Sequence, residues 1–179
     1  PCLDAPHVST PGPRCPQRSG EDPDDIIGDE DCLTLNIWAP DTSPAPVLVF
    51  FHGGGHIQGS AVETLPGGGL LYDGQHLARE NGVVVVTVQY RLGALGWLVH
   101  PALAAEDPDG PIGNRGLLDQ QAALRWLRDN LHNFGGDPDR LTIFGESAGA
   151  VDTALHLALP SSSGLFASAI KIGRASCRE

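Results

Sequence analysis

Apolar and polar positions along the chain alternate between two periods, and the switches mark the elements. Leu33-Thr34-Leu35-Asn36-Ile37-Trp38 repeats every second residue, which predicts a half-buried strand. Val47-Leu48-Val49-Phe50-Phe51 is a continuous apolar run, as expected of a strand covered on both faces. Val83–Tyr90 is the strongest strand signal. Its β-branched residues pack well on a pleated surface and lose rotamer freedom in a helix. Between these runs a short helix is predicted over Gln75–Glu80, ended by Asn81-Gly82. After a loop containing Pro101, Pro108 and Pro111, a helix is predicted over Asn114–Phe134. There Leu117, Leu124 and Leu131 recur every seven residues with Leu127 between them, making one apolar stripe. Gly135-Gly136-Asp137-Pro138 ends it. Leu141–Phe144 reads as a further buried strand, Ala150–Leu159 as a helix stopped by Pro160, and Ala167–Ile170 as the start of another strand. Strands alternating with helices predict a parallel sheet covered on both faces.

The two ends read differently. Residues 1–30 carry little periodicity and many turn formers, so a surface loop or arm is expected. Lys171–Glu179 is basic where the preceding text is acidic, and it resembles the translation of a sequencing-adapter read-through. Residues 171–179 are therefore expected to be a non-native tail and are set apart from the domain at 1–170. No Met stands at residue 1 and no basic-then-apolar leader opens the chain, so it is expected to begin inside a longer protein.

Composition narrows the function classes. The chain has 179 residues and a formal net charge of −11, which argues against a polyanion-binding surface and hence against nucleic acid. No apolar run approaches the roughly 20 residues of a membrane helix. Setting Cys177 aside leaves Cys2, Cys15 and Cys32, an odd count that defines no framework. A Cys15–Cys32 bridge would close a short acidic loop at a gain of roughly 3 kcal/mol. Two free thiols are the alternative.

The chemistry sits in Gly145-Glu146-Ser147-Ala148-Gly149, a G-x-S-x-G pattern between a predicted strand and a predicted helix. A strand that reverses so sharply into a helix lifts the Ser147 hydroxyl above the sheet, provided its neighbours are small. The helix start beneath offers free N–H groups and a positive partial charge. A tight turn with an incidental Ser is the alternative. A Ser hydroxyl needs an adjacent base, itself oriented by a carboxylate, to become a nucleophile. Earlier in the chain, His52-Gly53-Gly54-Gly55 follows a buried strand. Glycines let a backbone approach a ligand and aim its N–H groups at it. Two such donors with the N–H of Ala148 would make an oxyanion hole. A phosphate cradle fits less well, because the Walker Lys is absent and Gln58 breaks G-x-G-x-x-G. His52 and His56 have no third ligand at recognisable spacing, so no metal is expected.

These blocks resemble the carboxylesterase type B family, which includes cholinesterases and has the α/β-hydrolase fold. The likeness spans about residues 15–170. It rests on Glu30–Ile37, His52–Gly55, Gln89–Gly93, Gly113–Gln120 and Asn133–Pro138 leading into Gly145–Gly149. The resemblance implies part of a central, mostly parallel sheet with flanking helices. It also implies hydrolysis of small-molecule carboxylic esters through an acyl-serine intermediate, without a cofactor. On matching positions Ser147 would be the nucleophile, Gly54, Gly55 and Ala148 the oxyanion donors, and Glu146 a pocket residue. Arg91 and Asp119 match a structural salt bridge, and Cys15 and Cys32 a disulfide, which leans towards a secreted or periplasmic protein. In the family the general base and its acid lie well downstream. The seven histidines include no matching candidate, and His156, in the helix after the elbow, reads as a surface or packing residue. The chain by itself is therefore expected to be inactive. Arg14–Asp31 has no aromatic residue where cholinesterases carry a choline-stacking Trp, which favours a general esterase. A non-catalytic adhesion member of the same fold is the alternative from another class, and a lipase or amidase would share Ser147. Oligomeric state is left open.

Overall fold

A computed structural model describes residues 10–20, 22, 24–106 and 113–173. Cys2, Cys177, Pro108 and Pro111 lie outside them. The chain order is β1 (Gln17–Arg18), β2 (Ile26–Ile27), β3 (Leu35–Trp38), β4 (Ala45–Phe51), α1 (Gln75–Asn81), β5 (Val84–Val88), α2 (Gly93–Trp97), α3 (Pro101–Glu106), α4 (Arg115–Asn130), β6 (Gly136–Glu146), α5 (Ala148–Ala158) and β7 (Ser168–Ile172). A 3-10 turn over Leu131–Phe134 continues α4, so the predicted helix is right in extent but tightens in its last turn.

Five strands form one sheet in the order β3-β5-β4-β6-β7. Only β3 runs antiparallel, against β5; the other pairings are parallel. β4 lies between β5 and β6, so the chain winds one way from β4 to β5 and then crosses over β4 to reach β6. In open α/β sheets such a reversal leaves a crevice outside the carboxyl ends of the strands, where ligands bind. Here the strand ends at the reversal are Phe51 and Gly145, which are paired partners in register.

The alternation along β4, β5 and β6 sends Val47, Val49, Phe51, Val84, Val86, Val88, Leu141 and Ile143 to one face. There they meet Leu124, Leu127 and Leu131, the predicted stripe of α4, all fully buried. Each such side chain contributes roughly 1.5–3 kcal/mol. On the opposite face Phe50 packs against Tyr72 and Phe144 at 4.7 and 5.0 Å.

Two expectations change. The loop after Tyr90 holds two short helices, α2 and α3, and Pro101 opens α3, where its missing N–H costs nothing. Within residues 1–30 an antiparallel pair forms, Gln17 opposite Ile27 and Arg18 opposite Ile26. Two-residue strands leave no periodicity to read. The strand expected to start at Ala167–Ile170 forms as β7 over Ser168–Ile172, with Lys171 paired to Gly145 and Ile172 to Glu146.

Candidate active site

The turn from β6 into α5 is as tight as the G-x-S-x-G pattern predicts. Ser147 has φ 54° and ψ −113°, a region non-glycine residues rarely adopt, at a cost of about 1–3 kcal/mol. The flanking glycines explain how the turn closes. A Cβ on Gly145 would land on the backbone of Gly149, and one on Gly149 would land on the Phe51 carbonyl. No L side chain fits at either position. Ser147 is exposed, whereas Ala148 behind it is buried. Ala148 is the first residue of α5, so its N–H has no intrahelical acceptor.

The triple-glycine loop runs alongside. A Cβ on Gly53 would lie 3.1 Å from Ser147 Cβ and 3.0 Å from the Glu146 carbonyl oxygen. Gly54 and Gly55 take φ values of 107° and 65°. The Gly54 carbonyl accepts N–H bonds from Ile57 and Gln58 at 3.2 and 3.1 Å, which folds the loop into a compact turn.

Side chains from distant elements clamp this loop. The Gln17 amide bonds both backbone groups of Gly59, donating to its carbonyl at 2.9 Å and accepting its N–H at 2.8 Å. Gln89 accepts the Ala61 N–H at 3.1 Å and donates to Ser60 Oγ at 2.8 Å. The Tyr90 hydroxyl donates to the His52 carbonyl at 2.7 Å, and its ring stacks on the His52 imidazole at 4.4 Å. His52 Nδ1 donates to the Gly53 carbonyl at 2.8 Å, which leaves buried Nε2 unpartnered. Burial, the dominant cause, pushes the His52 pKa down to about 4, so the ring is neutral at pH 7.

Beside the loop is a cavity of about 290 Å³, lined among others by Gly53, Gly54, Tyr72, Glu63, Glu146 and Arg14. Among the described residues, no imidazole or carboxylate hydrogen-bonds the Ser147 hydroxyl, and none form a cluster able to hold a metal ion. His156 is buried and packs against Phe51 at 5.4 Å.

The remaining predicted residues frame the site. Cys15 and Cys32 are joined in a disulfide and fully buried with Tyr90 and Leu92 in a small second core. Arg91 donates to Asp119 through Nε at 2.8 Å and Nη2 at 2.6 Å, and through its backbone N–H at 3.1 Å. That hydrogen bonding raises the Arg91 pKa further. Gln17, Asp152 and the anchoring role of His56 were not legible in the sequence. Each acts across 42 residues or more, and nothing local marks it.

A doubly wound sheet with a strained Ser between the strand β6 and the following helix α5, beside a glycine loop, is the α/β-hydrolase fold. The solved structure of a PNB esterase matches at TM-score 0.76 and 46% identity, covering 89% of this chain and 32% of that one. The model of the Carboxylesterase family matches residues 6–177, and the chain belongs to that family. It is 50% identical over 144 residues to fumonisin B1 esterase of Sphingopyxis macrogoltabida, covering 79% of this chain and 25% of the relative. It is 50% identical over 143 residues to the cholinesterase of Mus musculus, covering 79% and 22%. Against para-nitrobenzyl esterase of Bacillus subtilis strain 168 it is 48% identical over 143 residues, covering 79% and 27%. The chain thus spans about a quarter of the length of these relatives.

Proposed function

We propose that the protein of which this chain forms part hydrolyses carboxylic esters, with Ser147 as nucleophile. The observation that carries this reading is the forced backbone at Ser147, which holds an exposed hydroxyl beside the Gly53–Gly55 turn. Strain of that kind persists only where surrounding packing maintains it. Ser147 Oγ attacks the acyl carbon and passes its proton to an imidazole from chain beyond the described residues. The oxyanion is held by the N–H groups of Gly54, Gly55 and Ala148. The C–O bond to the alcohol breaks and the alcohol leaves with that proton. Water then adds to the acyl-serine and frees the acid. Each donor contributes about 3 kcal/mol to the transition state.

Glu146 lines the pocket where the acyl or alcohol group sits. Among the described residues, Tyr72 is the only aromatic one lining the cavity. This favours a general small-ester substrate over a choline ester, which needs aromatic faces for its cation. The Cys15–Cys32 disulfide suits an oxidising compartment.

The test uses a chain extended to the length of the relatives. It should turn over p-nitrophenyl butyrate, and Ser147→Ala should lower kcat by at least about 10³-fold. A fluorophosphonate probe should label Ser147 alone. Undiminished turnover by Ser147→Ala would overturn the assignment.

A further inference from the structure

Three consecutive glycines make a poor rigid donor array on their own, because glycine loses the most backbone freedom on ordering. An oxyanion hole works only if its donors are already in place when charge develops. His56, the residue directly after Gly55, is where the loop is tied down. It has φ 62°, uncommon for a residue with a Cβ. Three contacts hold it there. Its ring lies 4.1 Å from that of Trp97. Its carbonyl accepts the Gly93 N–H at 2.7 Å. Its Nε2–H donates to Asp152 Oδ1 at 2.8 Å.

Asp152 has no exposed surface. An unpaired carboxylate there would be very unfavourable, so both oxygens are taken: the second accepts Gln120 Nε2 at 2.7 Å. The line continues inward. Gln120 Oε1 accepts from His156 Nε2 at 2.9 Å, and His156 Nδ1 accepts from Ser162 Oγ at 2.9 Å. Each donor and acceptor in this series has one consistent role, so the carboxylate is held on both sides. Asp152 also sits on α5, five residues after Ser147. One helix therefore carries both the Ser and the anchor of the glycine loop.

We infer that Asp152, acting through His56, is a positioning residue that fixes the Gly54 and Gly55 donors relative to Ser147. This rests on the reading of those glycines as oxyanion donors. The pair touches no reacting atom, and its effect falls on the transition state rather than on substrate binding.

The experiment again uses the chain at the relatives' full length. His56→Ala and Asp152→Ala are each expected to lower kcat for p-nitrophenyl butyrate by about 10- to 100-fold, the penalty of a small misplacement, with KM within about threefold. The double variant should lose no more than about twofold beyond either single one, because both remove the same strut. His56→Gln, whose amide can still donate to Asp152, should recover most of the loss. Hydrogen exchange supplies a readout apart from activity. The Ile57 and Gln58 amides should exchange about 10-fold faster in His56→Ala, while Val86 and Ile143 in the core stay unchanged. Additive losses, a change confined to KM, unaltered loop exchange, or acceleration throughout the sheet would each overturn the inference. Should Asp152→Ala fail to fold, the partly exposed His56 variants still decide. If Ser147→Ala retains full turnover, the esterase reading fails by itself, while loop exchange still judges the strut.

Discussion

Gly149→Ala isolates the packing that makes the elbow possible, because two effects of known sign oppose each other there. Gly149 is the second residue of α5, and replacing a helical glycine with alanine gains about 1 kcal/mol of helix propensity. Against this, the new Cβ would land on the Phe51 carbonyl oxygen, with the carbonyl carbon at 2.6 Å and the His52 oxygen at 2.8 Å. These are backbone atoms at the end of a central strand, so no side chain can rotate away. The whole start of α5 must lift off β4. Overpacking costs about 1–3 kcal/mol, and a backbone-on-backbone clash belongs at the upper end. The net expectation is a loss of about 2 kcal/mol, or a fall of roughly 1 M in the urea midpoint. Urea unfolding followed by circular dichroism checks it. Gly20→Ala is the reference, since a Cβ there meets nothing within 4 Å. Ser147 rides on the displaced turn, so ester turnover should also fall about 10²-fold. A Gly149→Ala protein as stable as the parent would refute the account of why this position is glycine.

Other outcomes follow from the same structure. Ser147→Gly should be more stable than Ser147→Ala by about 1 kcal/mol, because glycine accepts φ 54° without strain; equal melting temperatures would contradict this. Asp119→Ala should cost about 2–3 kcal/mol, since it strands a guanidinium that makes two side-chain bonds to that carboxylate. Asp139→Ala, at an exposed pair with Arg128, should cost under about 0.5 kcal/mol in the same urea titration. Cys15→Ser should lose about 3 kcal/mol for a loop with a sequence separation of 17, read as the midpoint shift against the parent. His52 and His156 are both held neutral by burial, with pKa values of about 4 against 6.5. Below pH 6.5 the unfolded chain therefore binds protons that the folded chain refuses. Stability should be greatest above pH 6.5, fall by up to about 2.7 kcal/mol per pH unit towards pH 4, and level off below it. A flat profile between pH 7 and 4.5 would contradict the burial argument.

Much of the architecture is written locally. The runs at Val47–Phe51 and Val83–Tyr90 could only be buried strands, and the heptad leucines of α4 could only be one apolar face. Burial and period constrain both without knowledge of any partner. The G-x-S-x-G pattern belongs partly to the same class: Gly145 answers a steric demand from Gly149 within the motif, whereas Gly149 answers one from the Phe51 carbonyl of another strand. What the chain concealed was everything carried by one or two polar bonds across long separations. Gln17 on Gly59, Gln89 on Ala61 and Asp152 on His56 join segments 28 to 96 residues apart. A lone Gln or Asp in a helix or loop has no periodic signature. Its role is set only when packing removes water and leaves a single partner within reach. The short helices after Tyr90 and the pair β1–β2 were hidden for a related reason, being too brief to show a period. Local hydrophobic order thus determined the sheet, the α4 face and the place of the Ser turn. Tertiary contact alone decided how the glycine loop is held beside it, because a flexible backbone acquires one conformation only from groups that arrive from elsewhere.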